Sequence, residues 1–364
     1  MTIRKILQKI FKKSFHLIFR VFYGKINISK DLKTINLKKI EVRSVKIDKK
    51  NFNLDNNIYI IPEGRVFTDL NEHVAIIKDG FIIPEISFQQ IKNELKNVEY
   101  NRVIHKGTNR LQKKIDGKVL SLVQGGSGNN YFHFLFDIVT KLKIYEEHFS
   151  LSEIDYFYVP GINSWQKQIL SLFDINEKKL IDSNKYRHIR AREIIAIDHP
   201  WYKSGYIQRE IKKLPEWSIF FLRKKFLDLR KKFNASKKIF IDRTDSVFKH
   251  CKLINNQEVI EYLEKKGFKS YQTSKLDFCE QIYLFENADI IISPHGAALT
   301  NIIFSKPGTT LFELIPSNHE SVKCERISSF LKFNYTRINL DPVVNDNKEG
   351  DIKIELDQLD KMIQ

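Results

Sequence analysis

His295 lies in the stretch Asp289-Ile-Ile-Ile-Ser-Pro-His-Gly-Ala-Ala-Leu-Thr-Asn301. A short apolar β-branched run gives way there to a turn of residues with little or no side chain. Gly296, Ala297 and Ala298 let a ligand approach the backbone closely. A helix opening at Ala297 would aim its first amides at that ligand, an arrangement suited to an anion such as a diphosphate. His295, at the tip of the turn, would donate to a phosphate or sugar oxygen, or bond a neighbouring carbonyl. Arg243 follows the apolar run Ile239-Phe-Ile241, and its guanidinium fork matches a diphosphate. Its plain alternative is an ion pair with Asp242 or Asp245. Lys249 offers a weaker second cation. Thr300 and Asn301 can bond a phosphate or satisfy the first helical turn. Glu313, ending another strand, can accept from ribose hydroxyls or hold a buried partner.

A second constellation is His133 with Asp137, four residues apart in Asn129-Asn-Tyr-Phe-His-Phe-Leu-Phe-Asp137. That spacing puts both on one helix face. Asp137 can orient the imidazole and make it a general base, or act as the base itself. The alternative is a simple ion pair on a helix whose other residues, Phe132, Phe134, Leu135 and Phe136, belong to a core. The loop Gly125-Gly-Ser-Gly128 fits neither the P-loop nor the dinucleotide fingerprint and reads as flexible backbone. No Asp-x-Asp occurs in the sequence. A metal-held diphosphate therefore has no local motif, and no metal or other cofactor is expected.

These residues need strands to carry them. Val119–Val123, Asp155–Val159 and Glu193–Ile197 alternate with helical segments in the first half. Ile239–Ile241, 268–272, 289–292 and 309–314 alternate with helices 256–266 and 277–287 in the second. Pro294 ends its strand because it cannot donate to the ladder. Such alternation predicts an α/β chain. A Trp-, Tyr- and Pro-rich passage at 198–218 marks a connection between two domains, placed at 31–205 and 206–342, with a polar tail at 343–364.

The segment from Phe278 onward resembles glycosyltransferase family 61, the DUF563 family. The matching residues are Phe278, Glu280 and Gln281, Ala288 and Asp289, Pro294 to Ala297, Leu299-Thr-Asn301, and Thr310-Leu-Phe-Glu-Leu314. Ile241-Asp-Arg-Thr-Asp-Ser246 and Asn255–Ile260 resemble the family's strand–Arg loop and next helix. Asn129–Asp137 is similar to its Asn/Tyr-x-His-x-x-x-Asp helix start. The resemblance covers roughly residues 115–316. It departs where many members carry a second Arg, since Lys249-His250 stands in that region. It implies two Rossmann-like domains facing a cleft (the GT-B arrangement) and an inverting transfer from a nucleotide sugar. The implied donor-site residues are Arg243, Lys249, His295, Gly296, Ala297, Thr300, Asn301 and Glu313, and the implied catalytic pair is His133 and Asp137. Bacterial relatives are associated with capsule and other surface polysaccharides.

Composition sets the remaining bounds. The chain has 364 residues, 42% hydrophobic, with three widely spaced cysteines and a formal net charge of +17. No disulfide framework or zinc motif follows from three such cysteines. Residues 1–30 hold eight Lys or Arg and no acidic residue. Their helical period places Ile3, Ile6, Leu7, Ile10, Phe11, Leu17, Ile18, Val21 and Phe22 on one face. Arg4, Lys5, Lys9, Lys12, Lys13, His16 and Arg20 fill the other. That is the pattern of a helix lying on an anionic membrane, or else packed on its own domain. Charges interrupt it too often for a membrane span or a signal peptide. The expected partners are a nucleotide sugar, a saccharide or lipid-linked saccharide acceptor, and an anionic membrane surface. The expected location is cytoplasmic, on the inner face of the plasma membrane. An Ile-, Lys- and Asn-rich chain without a spanning segment suggests a bacterial source. The competing reading is a noncatalytic binder of nucleic acid or another anionic polymer, which the basic charge favours. No helix-turn-helix, zinc-finger or RNP pattern supports it, and no nucleic-acid partner is expected. An NAD enzyme is a third possibility, and it lacks the glycine fingerprint.

Overall fold

The computed structural model describes residues 14–69, 72–125, 128, 130–246, 251–343 and 350–364. The chain divides into two compact units, Met1–Ile207 and Gln208–Gln364.

The first unit is built on a mixed sheet. Leu180–Asp182, Tyr156–Val159, Lys113–Ser121 and His188–Ile197 run parallel in that order. Beyond them the order turns antiparallel. His188–Ile197 pairs along Lys50–Pro62 with one half and along Arg65–Thr68 with the other. Lys38–Ile47 and Lys50–Pro62 form a long hairpin. The expectation of a Rossmann-like first domain is thus corrected. Four parallel strands are extended by an antiparallel meander, because hairpin turns such as Asp48-Lys49 and Asp79-Gly80 join neighbouring strands directly. Asp48 and Asp79 take the positive φ (53° and 50°) that tight turns require.

The second unit carries a wholly parallel five-stranded sheet. Its order is Lys269–Tyr271, Lys238–Ile241, Ile290–Pro294, Thr310–Pro316, Asn334–Leu340. In chain order this is 2-1-3-4-5, a doubly wound sheet. Ile291 and Ile292 are fully buried, as a strand covered on both faces requires. Asn256–Lys265 and Phe278–Asn287 are the covering helices. The second opens on a capping box in which Asp277 accepts from Glu280 N and Glu280 from Asp277 N. The polar terminal segment, in which a helix was a possible element, packs on the second unit. Ile352, Ile354 and Leu359 are buried among Leu253, Val259 and Leu340, and Leu356–Ile363 is a helix.

Residues 14–23 are helical. Phe19 is buried and stacks on Tyr23, whose ring meets His188 edge-on. Leu17, Ile18, Val21 and Phe22 remain 51–81% exposed. The helix is therefore tied to its own unit by a different side chain from those on the expected apolar face. Residues 1–13, which carry the rest of that face, lie outside the described residues. Among the described residues no helix is long and apolar enough to cross a membrane.

Candidate functional site

In the first unit the strand Lys113–Ser121 leads to a helix start at Tyr131–His133. The Asn130 side chain caps it, accepting from His133 N at 3.3 Å. The next six residues, Phe134–Val139, are π-helical, and α-helix resumes at Thr140–Glu146. All six are buried, so the segment is interior on every side. A π turn inserted in an α-helix commonly marks a functional position.

His133 and Asp137 meet there as the spacing anticipates, with Nδ1 2.7 Å from Asp137 Oδ2. Trp201 Nε1 donates to the other oxygen, also at 2.7 Å. Asp137 is wholly buried. Burial alone would raise its carboxyl, but the imidazoles of His133 and His199 hold it well below the ordinary value. His199 Nδ1 accepts from the backbone of Trp201 and Tyr202 at 3.3 Å, so its proton sits on Nε2. That Nε2 lies 3.7 Å from Asp137 Oδ2, too long for a hydrogen bond. Burial pushes His199 down to about 4, against the pull of Asp137, so it is a neutral neighbour. Burial also pushes the Lys141 ammonium down to about 7, although Asp137 and Asp198 oppose this. Lys141 Nζ rests 4.8 Å from the Phe88 ring centroid.

The arrangement fixes a tautomer. His133 Nδ1–H donates to a permanent carboxylate, which leaves Nε2 with its lone pair. Among the described residues Nε2 has no hydrogen-bond partner. An oriented imidazole of this kind can take a proton from a hydroxyl brought to it. Asp137, enclosed and doubly bonded, is the orienting group. His199 and Trp201 went unrecognised as its neighbours, since the sequence shows them only as part of an aromatic connecting passage.

In the second unit the carboxyl ends of Lys238–Ile241 and Ile290–Pro294 are adjacent, at the point where the strand order reverses. That is where doubly wound sheets bind ligands. Arg243 follows the first strand and His295 the second. Arg243 Nη1 donates to the His295 carbonyl. The guanidinium lies against Gly296, where an added Cβ would run into Arg243 Cζ and force the side chain to shift. Lys323, a buried residue of the helix Lys323–Leu331, donates from Nζ to the Gly296 carbonyl at 2.6 Å. Burial lowers this ammonium's pKa, as does the nearby Arg243 charge. Two cations thus converge on the glycine turn from separate elements. Nothing near Lys323 in the sequence distinguishes it from a surface lysine.

The segment after the turn, Ala297–Phe304, is a 3₁₀-helix, tighter than the α-helix expected. Ala297 and Ala298 lead it, and their amides have no acceptor within it. Thr300 and Asn301 lie in this segment. Both are fully buried, and Asn301 Nδ2 donates to Gln281 Oε1 at 2.8 Å, tying the segment to the helix Phe278–Asn287. Glu313 holds buried partners, the second of the two readings its position allowed. One oxygen lies 2.5 Å from His295 Nδ1 and the other accepts from Tyr335 Oη at 2.7 Å. Burial alone would raise Glu313, but His295 and Tyr335 hold it down at about 2. Burial outweighs Glu313 at His295 and lowers the imidazole. The His319 ring lies 4.3 Å from that of His295. Lys249 lies outside the described residues.

His295, Glu313 and Cys324 bring three potential metal-ligand atoms within 4.8 Å of one another. Their surroundings do not suit a cation. Both Glu313 oxygens are engaged, and Lys323 and Arg243 bring positive charge to the same turn. The chemistry on offer is anion recognition by two cations, backbone amides and a carboxylate-held imidazole.

The glycosyltransferase 61 family profile matches residues 131–312, which span both the His133 helix and the His295 turn. The chain is also 36% identical over 72 residues to the EGF domain-specific O-linked N-acetylglucosamine transferase of Gallus gallus. That similarity covers 20% of this chain and 13% of the relative's length.

Proposed function

This chain belongs to the glycosyltransferase 61 family, and from that premise we propose that it transfers a sugar from a nucleoside diphosphate donor to a hydroxyl of a saccharide acceptor. The observation that carries the reading is the convergence of Arg243, Lys323 and His295 on the Gly296 turn at the switch point of the parallel sheet. The leaving diphosphate gains negative charge as its bond to the sugar breaks. Fixed cations and amides stabilise that charge without a metal. When the donor binds, His295, with Nδ1–H held by Glu313, takes up a proton from solvent on Nε2, and the imidazolium donates to the phosphate oxygen on which charge develops. Glu313 then balances the imidazolium.

The acceptor side of the reaction falls to His133. Its Nε2 removes the hydroxyl proton while the oxygen attacks the anomeric carbon. The carbon–phosphate-oxygen bond breaks with its electron pair leaving on the diphosphate. One displacement inverts the anomeric configuration. The two units carry different halves of this chemistry, the base in the first and the diphosphate site in the second. The exposed Leu17, Ile18, Val21 and Phe22, in a basic segment, support peripheral attachment to an anionic membrane at the cytoplasmic face. A lipid-linked saccharide of surface-polysaccharide assembly is the acceptor that fits such attachment.

A thermal-shift screen with UDP, GDP, CMP and NAD, in EDTA and in Mg²⁺, tests the reading. A ligand that binds only the folded protein raises its melting temperature. Stabilisation by one nucleoside diphosphate that persists in EDTA is expected. Stabilisation only with Mg²⁺ overturns the metal-independent mechanism, and stabilisation by NAD alone overturns the transferase. The anomeric configuration of the product by NMR then decides inversion.

A further inference from the structure

The first unit holds a cavity of about 700 Å³ that the chemistry above does not use. This lies within the range of small-molecule sites. Its lining includes Tyr59, Phe88, Asn57, Gln89 and the segment Asp198-His199. Its charge is unlike that of the chain. Asp55, Glu85, Glu99 and Asp198 face Lys39, Lys96 and Lys203, one carboxylate more than ammonium groups, in a protein of net charge +17. This lining offers an anion no net attraction, unlike the Gly296 turn with its two cations. A neutral ligand with many hydroxyls fits instead, since carboxylates accept from hydroxyls, ammonium groups donate to them and amides do both.

The cavity also shares a wall with the base. Asp198 accepts from Asn56 Nδ2 at 2.7 Å and Asn57 Nδ2 at 3.0 Å, anchoring the chain at the cavity. His199 comes next and lies 3.7 Å from Asp137. Trp201 then donates to Asp137. One five-residue segment, 198–202, therefore lines the cavity and holds the carboxylate that orients His133.

We propose that this cavity binds a neutral sugar unit of the acceptor, as a subsite apart from the attacking hydroxyl. This rests on the transferase reading for the word acceptor, and on the cavity alone for the sugar. Asn97 and Glu85 line the cavity with exposed side chains that make no cap or ion pair. Asn97→Trp fills the mouth without touching the core, and Glu85→Ala removes one hydroxyl partner.

The test is saturation-transfer NMR on the full chain with methyl glycosides of glucose, galactose, mannose and N-acetylglucosamine. UDP and GDP binding is followed on the same samples by thermal shift. At least one glycoside is expected to bind, tenfold or more weaker to Asn97→Trp and severalfold weaker to Glu85→Ala, with nucleotide binding unchanged in both. Absence of glycoside binding, or binding that survives Asn97→Trp, overturns the cavity proposal while nucleotide binding leaves the transferase standing. Glycoside binding lost in Asn97→Trp, with no nucleotide bound by any variant, keeps the sugar site and removes the transferase.

Discussion

Asp137→Asn isolates the role of the carboxylate beneath His133. The substitution preserves shape, so no cavity forms. It changes one oxygen to an amide nitrogen where the wild type accepts two hydrogen bonds at 2.7 Å, from His133 and from Trp201. Both donors are N–H groups, so an amide can serve only one of them and presents its own N–H₂ to the other. A hydrogen bond to a charged group contributes about 1.5–3 kcal/mol, and an unmet buried donor adds to the loss. A destabilisation of about 3 kcal/mol is expected. The catalytic effect is separate. Without a carboxylate at Nδ1 the imidazole loses its fixed tautomer and its partner for the developing positive charge. A positioned base contributes about 10²–10⁴-fold, so kcat for transfer should fall by that order. Nucleotide binding, made by residues of the other unit, should be unchanged. The stability difference has a definite pH dependence. The native Asp137 value is depressed, so its stabilisation is full above the ordinary 3.8 and is lost as the pH falls from there toward the lower native value. Wild type and variant should therefore converge in strong acid. The assay pairs chemical melts from pH 3 to 8 with transfer kinetics on folded protein at saturating donor. A folded variant with kcat within fivefold of wild type would refute the assignment of His133 as an Asp-oriented base.

Four further outcomes follow from the geometry. Gly296→Ala places a methyl group against the Arg243 guanidinium, and nucleoside diphosphate affinity should fall at least tenfold by calorimetry; wild-type affinity would remove Arg243 from the site. Lys323→Met keeps the aliphatic stem but not the charge, and should weaken diphosphate binding tenfold or more while leaving nucleoside binding alone. Diphosphate binding should take up a proton. Burial lowers His295 in the free protein, an adjacent anion raises it, and affinity should therefore increase as the pH falls through neutrality. Calorimetry in buffers of different ionisation enthalpy reads this directly, and zero uptake would contradict it. Deleting residues 1–30 should release the protein from anionic vesicles in flotation, and retained binding would end the membrane-helix reading.

Much of the second unit was legible because local signals and fold agreed there. The run Ile290-Ile-Ile292 gave a strand, Pro294 its end, and Gly296-Ala-Ala298 a turn a ligand can approach. Other features carry no local signature. Lys323 reads as one charge on an amphipathic helix, and only the tertiary fold brings its Nζ to Gly296. Glu313 lies inside the strand Thr310–Pro316, not at its end as expected, and its direction toward His295 depends on the neighbouring strand that supplies Tyr335. The π turn at Phe134–Val139 leaves composition unchanged, since one shifted hydrogen-bond register needs no particular residue. The mixed sheet of the first unit was missed for a related reason. Short apolar runs show that strands exist, while hairpin turns decide their direction. The cavity is invisible to any local reading, because its wall draws on residues from Ile28 to Lys203.

In the proposed mechanism two similar histidine–carboxylate pairs serve opposite ends of the reaction. Each imidazole gives Nδ1–H to a buried carboxylate, and each carboxylate is held by a second donor, Trp201 for Asp137 and Tyr335 for Glu313. What differs is the surrounding charge. Around His133 the near groups are a carboxylate, the neutral His199 and Lys141, whose ammonium burial pushes down to about 7, and among the described residues no cation bonds its turn of helix. Around His295, Arg243 and Lys323 bond the carbonyls of the same turn, so an anion is the missing complement. A proton arriving at His133 finds Asp137 to balance it, which suits a base. A proton arriving at His295 becomes favourable only when diphosphate charge appears beside it, which suits an acid for the leaving group. Environments that set two like groups apart in this way assign the base and the acid. The assignment makes a demand of its own. Exchanging the carboxylates, Asp137→Glu with Glu313→Asp, keeps both charges but moves each by one methylene, and should impair transfer through geometry alone. If activity survived that exchange, charge without orientation would suffice, and the dyad reading of both sites would fail together.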